Sequence, residues 1–129
     1  MKTSVRTEKI RKILKERYSD VRTQLDYENP FELLVSTILS AQCTDKQVNI
    51  VTKTLFKKLK TPYDFADAPA EIVEQLIRPT GYFRNKAKNI INCSKAIIEK
   101  FGGEVPASLE ELTGLPGVGR KTANVVLGA

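Results

Sequence analysis

The chain has no histidine, so the groups able to do chemistry are Lys, Asp, Glu, Tyr, Cys and the backbone itself. That excludes Ser-His-Asp and Cys-His catalysis, a histidine general base, and any zinc or haem site that needs imidazole. Against this short inventory, Leu115-Pro116-Gly117-Val118-Gly119-Arg120-Lys121-Thr122-Ala123 is the most specific stretch. Two glycines two apart let a loop take backbone angles that a side chain forbids, while Val118 between them can anchor it in the core. Such a turn leads into a helix start, where unpaired N–H groups and the positive end of the helix dipole converge on one spot. That is an anion site, and a nucleic-acid phosphate is an occupant of the right chemistry. Gly114 and Gly119 have the spacing of a phosphate-binding P-loop, but Arg120 follows and Lys121 comes one place late. A dinucleotide fingerprint would need a third glycine and a preceding strand. A tight helix–helix turn without a ligand stays open on the glycines alone.

The elements that must position this turn all read as helices. Ile10, Ile13, Leu14 and Arg17 make a stripe on a basic first helix within residues 1–22. Asn29-Pro30-Phe31-Glu32 is a helix start, with Asn as N-cap, Pro where no N–H is missed, and Glu three residues after the cap. The helix it opens is apolar at Phe31, Leu34, Val35, Ile38 and Leu39, and Gln42 falls on the same stripe. Thr44-Asp45-Lys46-Gln47 opens the next, with Val48, Val51, Leu55 and Leu59 inward, and Thr61-Pro62 stops it. A short helix over 70–77 carries Ile72, Val73, Leu76 and Ile77 and ends at Arg78-Pro79-Thr80-Gly81. A long helix over 83–100 buries Ala87, Ile90, Ile91, Ile97 and Ile98, with Gly102-Gly103 as a left-handed cap. Ser108-Leu109-Glu110-Glu111 opens a helix of little more than a turn, stopped at Gly114, and a last helix starts near Arg120. With no strand alternation, repeat or low-complexity linker, the fold class is all-α, a bundle of about six or seven helices.

The 129 residues suit one compact domain and carry 21 Lys+Arg against 15 Asp+Glu, a net charge of +6 that favours an anionic partner. The charge is blocked along the chain: residues 1–22 hold eight basic against three acidic groups, and residues 78–100 hold six basic groups against Glu99 alone. Lys46, Lys53, Lys57, Lys58 and Lys60 form a third basic block over residues 46–60. Two cysteines, Cys43 and Cys93, cannot supply the four thiolates of a typical iron–sulfur or structural zinc site. The opening MKTSVRTEKIRKILKERYSD has no signal-like apolar run, so a cytoplasmic or nucleoid-associated protein with no membrane partner is expected.

Leu112, Leu115, Gly117, Val118, Gly119, Ala123, Val126 and Leu127 together resemble the helix-hairpin-helix motif of DNA-binding proteins, here over about residues 109–129. LLVSTILSAQCTDKQVN, GYFRNKAKNI, GGEVP and LPGVGRKTANVVL, in that order over most of residues 20–129, resemble the endonuclease III family of base-excision DNA glycosylases. The resemblance implies a hairpin, Leu115, Pro116, Gly117, Val118, Gly119 and Arg120, that holds a DNA phosphate without reading sequence, beside a monovalent cation. It implies a bifunctional glycosylase and abasic-site lyase acting on oxidised pyrimidines, with Lys121 as the Schiff-base amine. It makes Gln42 a polar plug for the gap left by a flipped base, and Thr80-Gly81-Tyr82 the opposing wedge. Asp45 matches a position near the active pocket, and the partner is double-stranded DNA with a damaged base or abasic site, bound by a monomer.

The family also has an aspartate downstream of this helix and four cysteines holding a [4Fe-4S] cluster, neither of which occurs here. With Val125, Val126 and Leu127 still apolar as the sequence reaches Ala129, the expectation is a chain cut after the hairpin, without its cluster cofactor. Residues 1–22 would then pack on the absent cluster domain. The alternative is a DNA-binding helix-hairpin-helix remnant without turnover.

Overall fold

A computed structural model describes residues 24–128, so the basic helix expected within residues 1–22 lies outside the described residues. Those described form seven α-helices and no strand: α1 (Pro30–Leu39), α2 (Asp45–Lys58), α3 (Pro62–Asp67), α4 (Ala70–Ile77), α5 (Phe83–Phe101), α6 (Leu109–Thr113) and α7 (Arg120–Gly128). A 3-10 turn, Arg78–Thr80, joins α4 to α5.

Capping sets the helix starts. Asn29 accepts the Glu32 N–H at 2.9 Å, and the Glu32 carboxylate reaches back past the cap to the Glu28 N–H at 3.0 Å. Thr44 accepts the Gln47 N–H at 3.1 Å, and Ser108 that of Glu111 at 3.1 Å. The reciprocal capping box is fully formed at a place the sequence reading takes only as a stop. Thr61 accepts the Asp64 N–H, the Asp64 carboxylate accepts the Thr61 N–H, and Pro62 occupies the first turn. Thr61-Pro62 therefore ends α2 and also starts α3, because proline is excluded from a helix interior but pre-set for its first turn. The neighbouring Lys60 N–H helps hold the Asp64 carboxyl below the usual carboxylate range.

Helix α1 is the centre of the molecule: Phe31 to Leu39 are all buried, and α2, α5 and α7 pack around it. A helix apolar on nearly every side can only sit inside. Helices α3 and α4 lie against α5, and the Phe65 ring of α3 meets Phe31 edge-on, with centroids 5.7 Å apart. Ile98, expected inside, is half-buried, whereas Ala87, Ile90, Ile91 and Ile97 line the core as their spacing requires. The long α5 ends on Gly102 at φ 64°, whose N–H bonds back to Ile97.

Candidate functional site

Three separate turns meet around one open cavity of about 310 Å³. The first follows α1. The helix stops at Leu39, so Gln42 does not continue its apolar stripe as the periodicity suggests; it stands exposed in the next turn at φ 56°. The second turn joins the 3-10 segment to α5, where Tyr82 is 66% exposed at φ 47°. Gln42 and Tyr82 are the two non-glycine residues with positive φ among those described. Such backbone costs about 1–3 kcal/mol per residue and persists where surrounding structure imposes it. Both residues line the cavity.

The third wall is the turn between α6 and α7. Leu115 and Val118 are buried and the Val118 N–H bonds Leu115 O at 3.1 Å, which closes the turn around Pro116 and Gly117. Gly117 has φ 77°, and a Cβ placed on it would lie 2.6 Å from Asn89 Cβ of α5. The loop is thus pressed against α5 at a point where only glycine fits. Gly119 has no heavy atom within 4 Å of its Cβ direction, and its carbonyl accepts the Ala123 N–H at 2.9 Å as α7 begins. The first-turn N–H groups of α7 have no intrahelical acceptor, and the first two residues of that turn, Arg120 and Lys121, are exposed.

The structure brings together Gln42, Tyr82 and Gly117 at the cavity wall, joined by Thr122. Lys121 is exposed one residue before Thr122 and does not itself line the cavity. Thr80 is buried, with its hydroxyl donating to Ile77 O at 2.8 Å, so of the Thr80-Gly81-Tyr82 turn only the last two residues reach the surface. Asp45 lies away from the cavity at the start of α2, where its carboxylate accepts the Gln24 N–H at 3.1 Å.

Sequence reasoning passed over Lys86. It is 4% exposed, lines the cavity floor, and donates from Nζ to Leu39 O and to Thr80 O, each at 2.8 Å. Burial pushes its ammonium down from the ordinary lysine range, opposed by the Cys43 side chain. The available signal was a lysine on the inner stripe of α5, four residues before Ile90. Asn85 and Asn89, one turn apart on the same helix, add amides to the cavity wall. Nearby, the Arg78 and Arg84 guanidiniums flank the Phe83 ring at 4.8 and 5.7 Å, keeping two cations beside the Tyr82 turn.

Cys43 is half-buried in the turn after α1, whereas Cys93 is buried in α5 with its thiol pushed up to about 12 by desolvation. Among the described residues no three His, Cys, Asp or Glu side chains lie close enough to hold a metal. No described helix is long and apolar enough to cross a membrane.

A family model for the HhH-GPD superfamily of base excision DNA repair proteins matches residues 35–127. The chain belongs to that superfamily. Its resemblance to endonuclease III holds at high identity: 60% to endonuclease III of Bacillus subtilis over 81% of this chain, and 54% to that of Synechocystis over 89%. It covers 48% and 52% of those two proteins, so the chain spans about half the length of the curated relatives it matches. A solved non-covalent endonuclease III–DNA complex superposes with a TM-score of 0.83 at 47% identity, covering 100% of this chain and 60% of the other. A trapped covalent endonuclease III–DNA intermediate gives 0.82 at 49% identity, covering 94% and 58%. Superfamily membership and these superpositions agree with the helical fold and the hairpin described above.

Proposed function

We propose that this chain carries the DNA-gripping and Schiff-base half of a base-excision glycosylase and abasic-site lyase. The observation that carries the reading is the meeting of three turns at one cavity, whose wall holds Gly117 of the hairpin and Thr122 of α7 together with Gln42 and Tyr82. In this reading a DNA phosphate lies on the first-turn N–H groups of α7, and the backbone at Gly119 is bare enough for close approach. Gln42 and Tyr82 enter the duplex from opposite sides, and the extruded nucleotide of an oxidised pyrimidine is held at the cavity. Hairpin carbonyl oxygens suit a monovalent cation beside that phosphate, and no step depends on it.

Lys121, at the second position of α7, is the nucleophile of the proposal. Its neutral amine attacks C1′; the N–C1′ bond forms, the glycosidic bond breaks, and the base leaves with a proton. As the C1′–O4′ bond breaks, the nitrogen lone pair forms the C1′=N bond and the second amine proton passes to O4′, which gives the Schiff base. Removal of a C2′ proton then expels the 3′ phosphate by β-elimination. The chain would be mixed with a duplex holding one abasic site and treated with borohydride, which reduces the imine to a stable amine. A covalent adduct that disappears in Lys121→Gln is expected; absence of any adduct in the wild-type chain overturns the lyase assignment.

A second reading, DNA binding without turnover, is favoured by the exposure of Lys121 and its position off the cavity wall. It predicts retention of abasic duplex with neither adduct nor strand nicking.

A further inference from the structure

Resting on the DNA-binding reading above, we propose that Lys86 is a positioning residue that ties the two insertion turns into one unit, so that Gln42 and Tyr82 enter a duplex together. Its Nζ bonds Leu39 O, three residues before Gln42, and Thr80 O, two residues before Tyr82, both at 2.8 Å. The carbonyls belong to different elements, and Lys86 is 47 residues from Leu39 in the chain. On the far side of each anchor stands a non-glycine residue at positive φ, and the described residues hold no others. One buried cation thus sits between the two strained points of the backbone.

An ammonium is a costly choice for a mere filler. Taking it out of water costs several kcal/mol unless hydrogen bonds replace its hydration. No carboxylate is among its hydrogen-bond partners in the described residues, and a methionine of similar length would fill the same space without that cost. Helix geometry explains why the site accepts it. Leu39 O is among the last carbonyls of α1, which lack intrahelical donors and carry the negative end of the dipole. The last turn of α1 has no basic residue of its own, so the cation comes from α5. Thr80 O ends the 3-10 turn, and the Thr80 hydroxyl is spent on Ile77 O, which keeps that turn closed beneath Tyr82.

The test measures the ratio of affinities for a duplex with one tetrahydrofuran abasic analogue and for the same duplex intact, by fluorescence anisotropy at fixed salt. It compares the wild-type chain, Lys86→Met, the pair Gln42→Ala with Tyr82→Ala, and all three substitutions together. The ratio should fall about tenfold in Lys86→Met, a loss of about 1.4 kcal/mol. The Gln42→Ala and Tyr82→Ala pair should then lower it by no more than about twofold further, because residues acting as one unit are not additive. A full additional loss in the Lys86→Met background, or equal weakening on both duplexes, overturns the proposal, since packing damage alone would give either. If Lys86→Met does not melt cooperatively, Lys86→Gln, which keeps an amide donor, is read by the same criteria. A wild-type ratio near one overturns the DNA reading itself and the Lys86 proposal with it, whereas a high wild-type ratio that Lys86→Met leaves unchanged overturns the Lys86 proposal alone.

Discussion

Gly117 and Gly119 lie two residues apart in the hairpin, yet their surroundings assign them different work. Replacing Gly117 by Ala puts a Cβ 2.6 Å from Asn89 Cβ and 2.8 Å from Asn89 Cγ, on a residue at φ 77°. The left-handed backbone costs a non-glycine residue about 1–2 kcal/mol. Carbon atoms rest about 3.5–4.0 Å apart, so the loop or α5 must give way by about 1 Å, and overpacking of that kind costs about 1–3 kcal/mol. Asn89 Cβ is fixed to the α5 backbone and cannot swing aside. The total is about 3 kcal/mol, a fall in Tm of roughly 10 °C for a chain of this size. Gly119→Ala meets no atom within 4 Å and no left-handed strain, so its stability should hold within about 0.5 kcal/mol or rise slightly. Its Cβ instead occupies the open face where a phosphate would approach, and affinity for duplex DNA should fall at least about tenfold, or 1.4 kcal/mol. Thermal melts and anisotropy titrations on the two variants check this. A Gly117→Ala melt within about 2 °C of wild type would refute the packing argument. Unchanged affinity in Gly119→Ala would refute the phosphate grip.

Two further predictions concern the frame. The buried Cys93 thiol, raised from 9.0 to about 12, stays protonated in the folded chain while the unfolded thiol ionises. Stability is therefore fully present below the unfolded value and is lost as pH rises toward the folded one, by about 2 kcal/mol at about pH 10.5. Urea melts at about pH 8 and about pH 10.5 should show the wild type losing this much more than Cys93→Ala. Lys86, lowered by burial, acts in the opposite sense over that interval and cancels in the comparison, because both proteins carry it. At the α3 start, Thr61→Ala removes the acceptor of the Asp64 N–H and should cost about 1 kcal/mol by urea unfolding; a cost near zero would mean that α3 is held by Phe65 packing alone.

Much of the fold is legible locally. Asn29, Thr44 and Ser108 mark helix starts because each side chain satisfies an N–H only three residues ahead, and apolar spacing marks the inner face of α2 and most of α5. Thr61-Pro62 misleads because the same pair serves as terminator and initiator, and only the Asp64 bonds separate the roles. Gln42 misleads because a period of 3.6 extends on paper past the point where the backbone turns left-handed.

By itself, then, the sequence determined an all-helical chain with a glycine hairpin, from signals within one or two turns of each other, and, from motifs spread over most of residues 20–129, its place beside endonuclease III. Tertiary structure alone decided that Gly117 is pressed on Asn89, that Gln42, Tyr82 and Thr122 share a cavity, and that Lys121 stands just off it. It also decided that one lysine of a basic block, Lys86, leaves the solvent to bond two turns that lie far from each other in sequence. Caps and periods act over a few residues, whereas these contacts exist only once α1, α5 and α7 have packed, and a lysine that ends buried is spelled the same as one that stays in water.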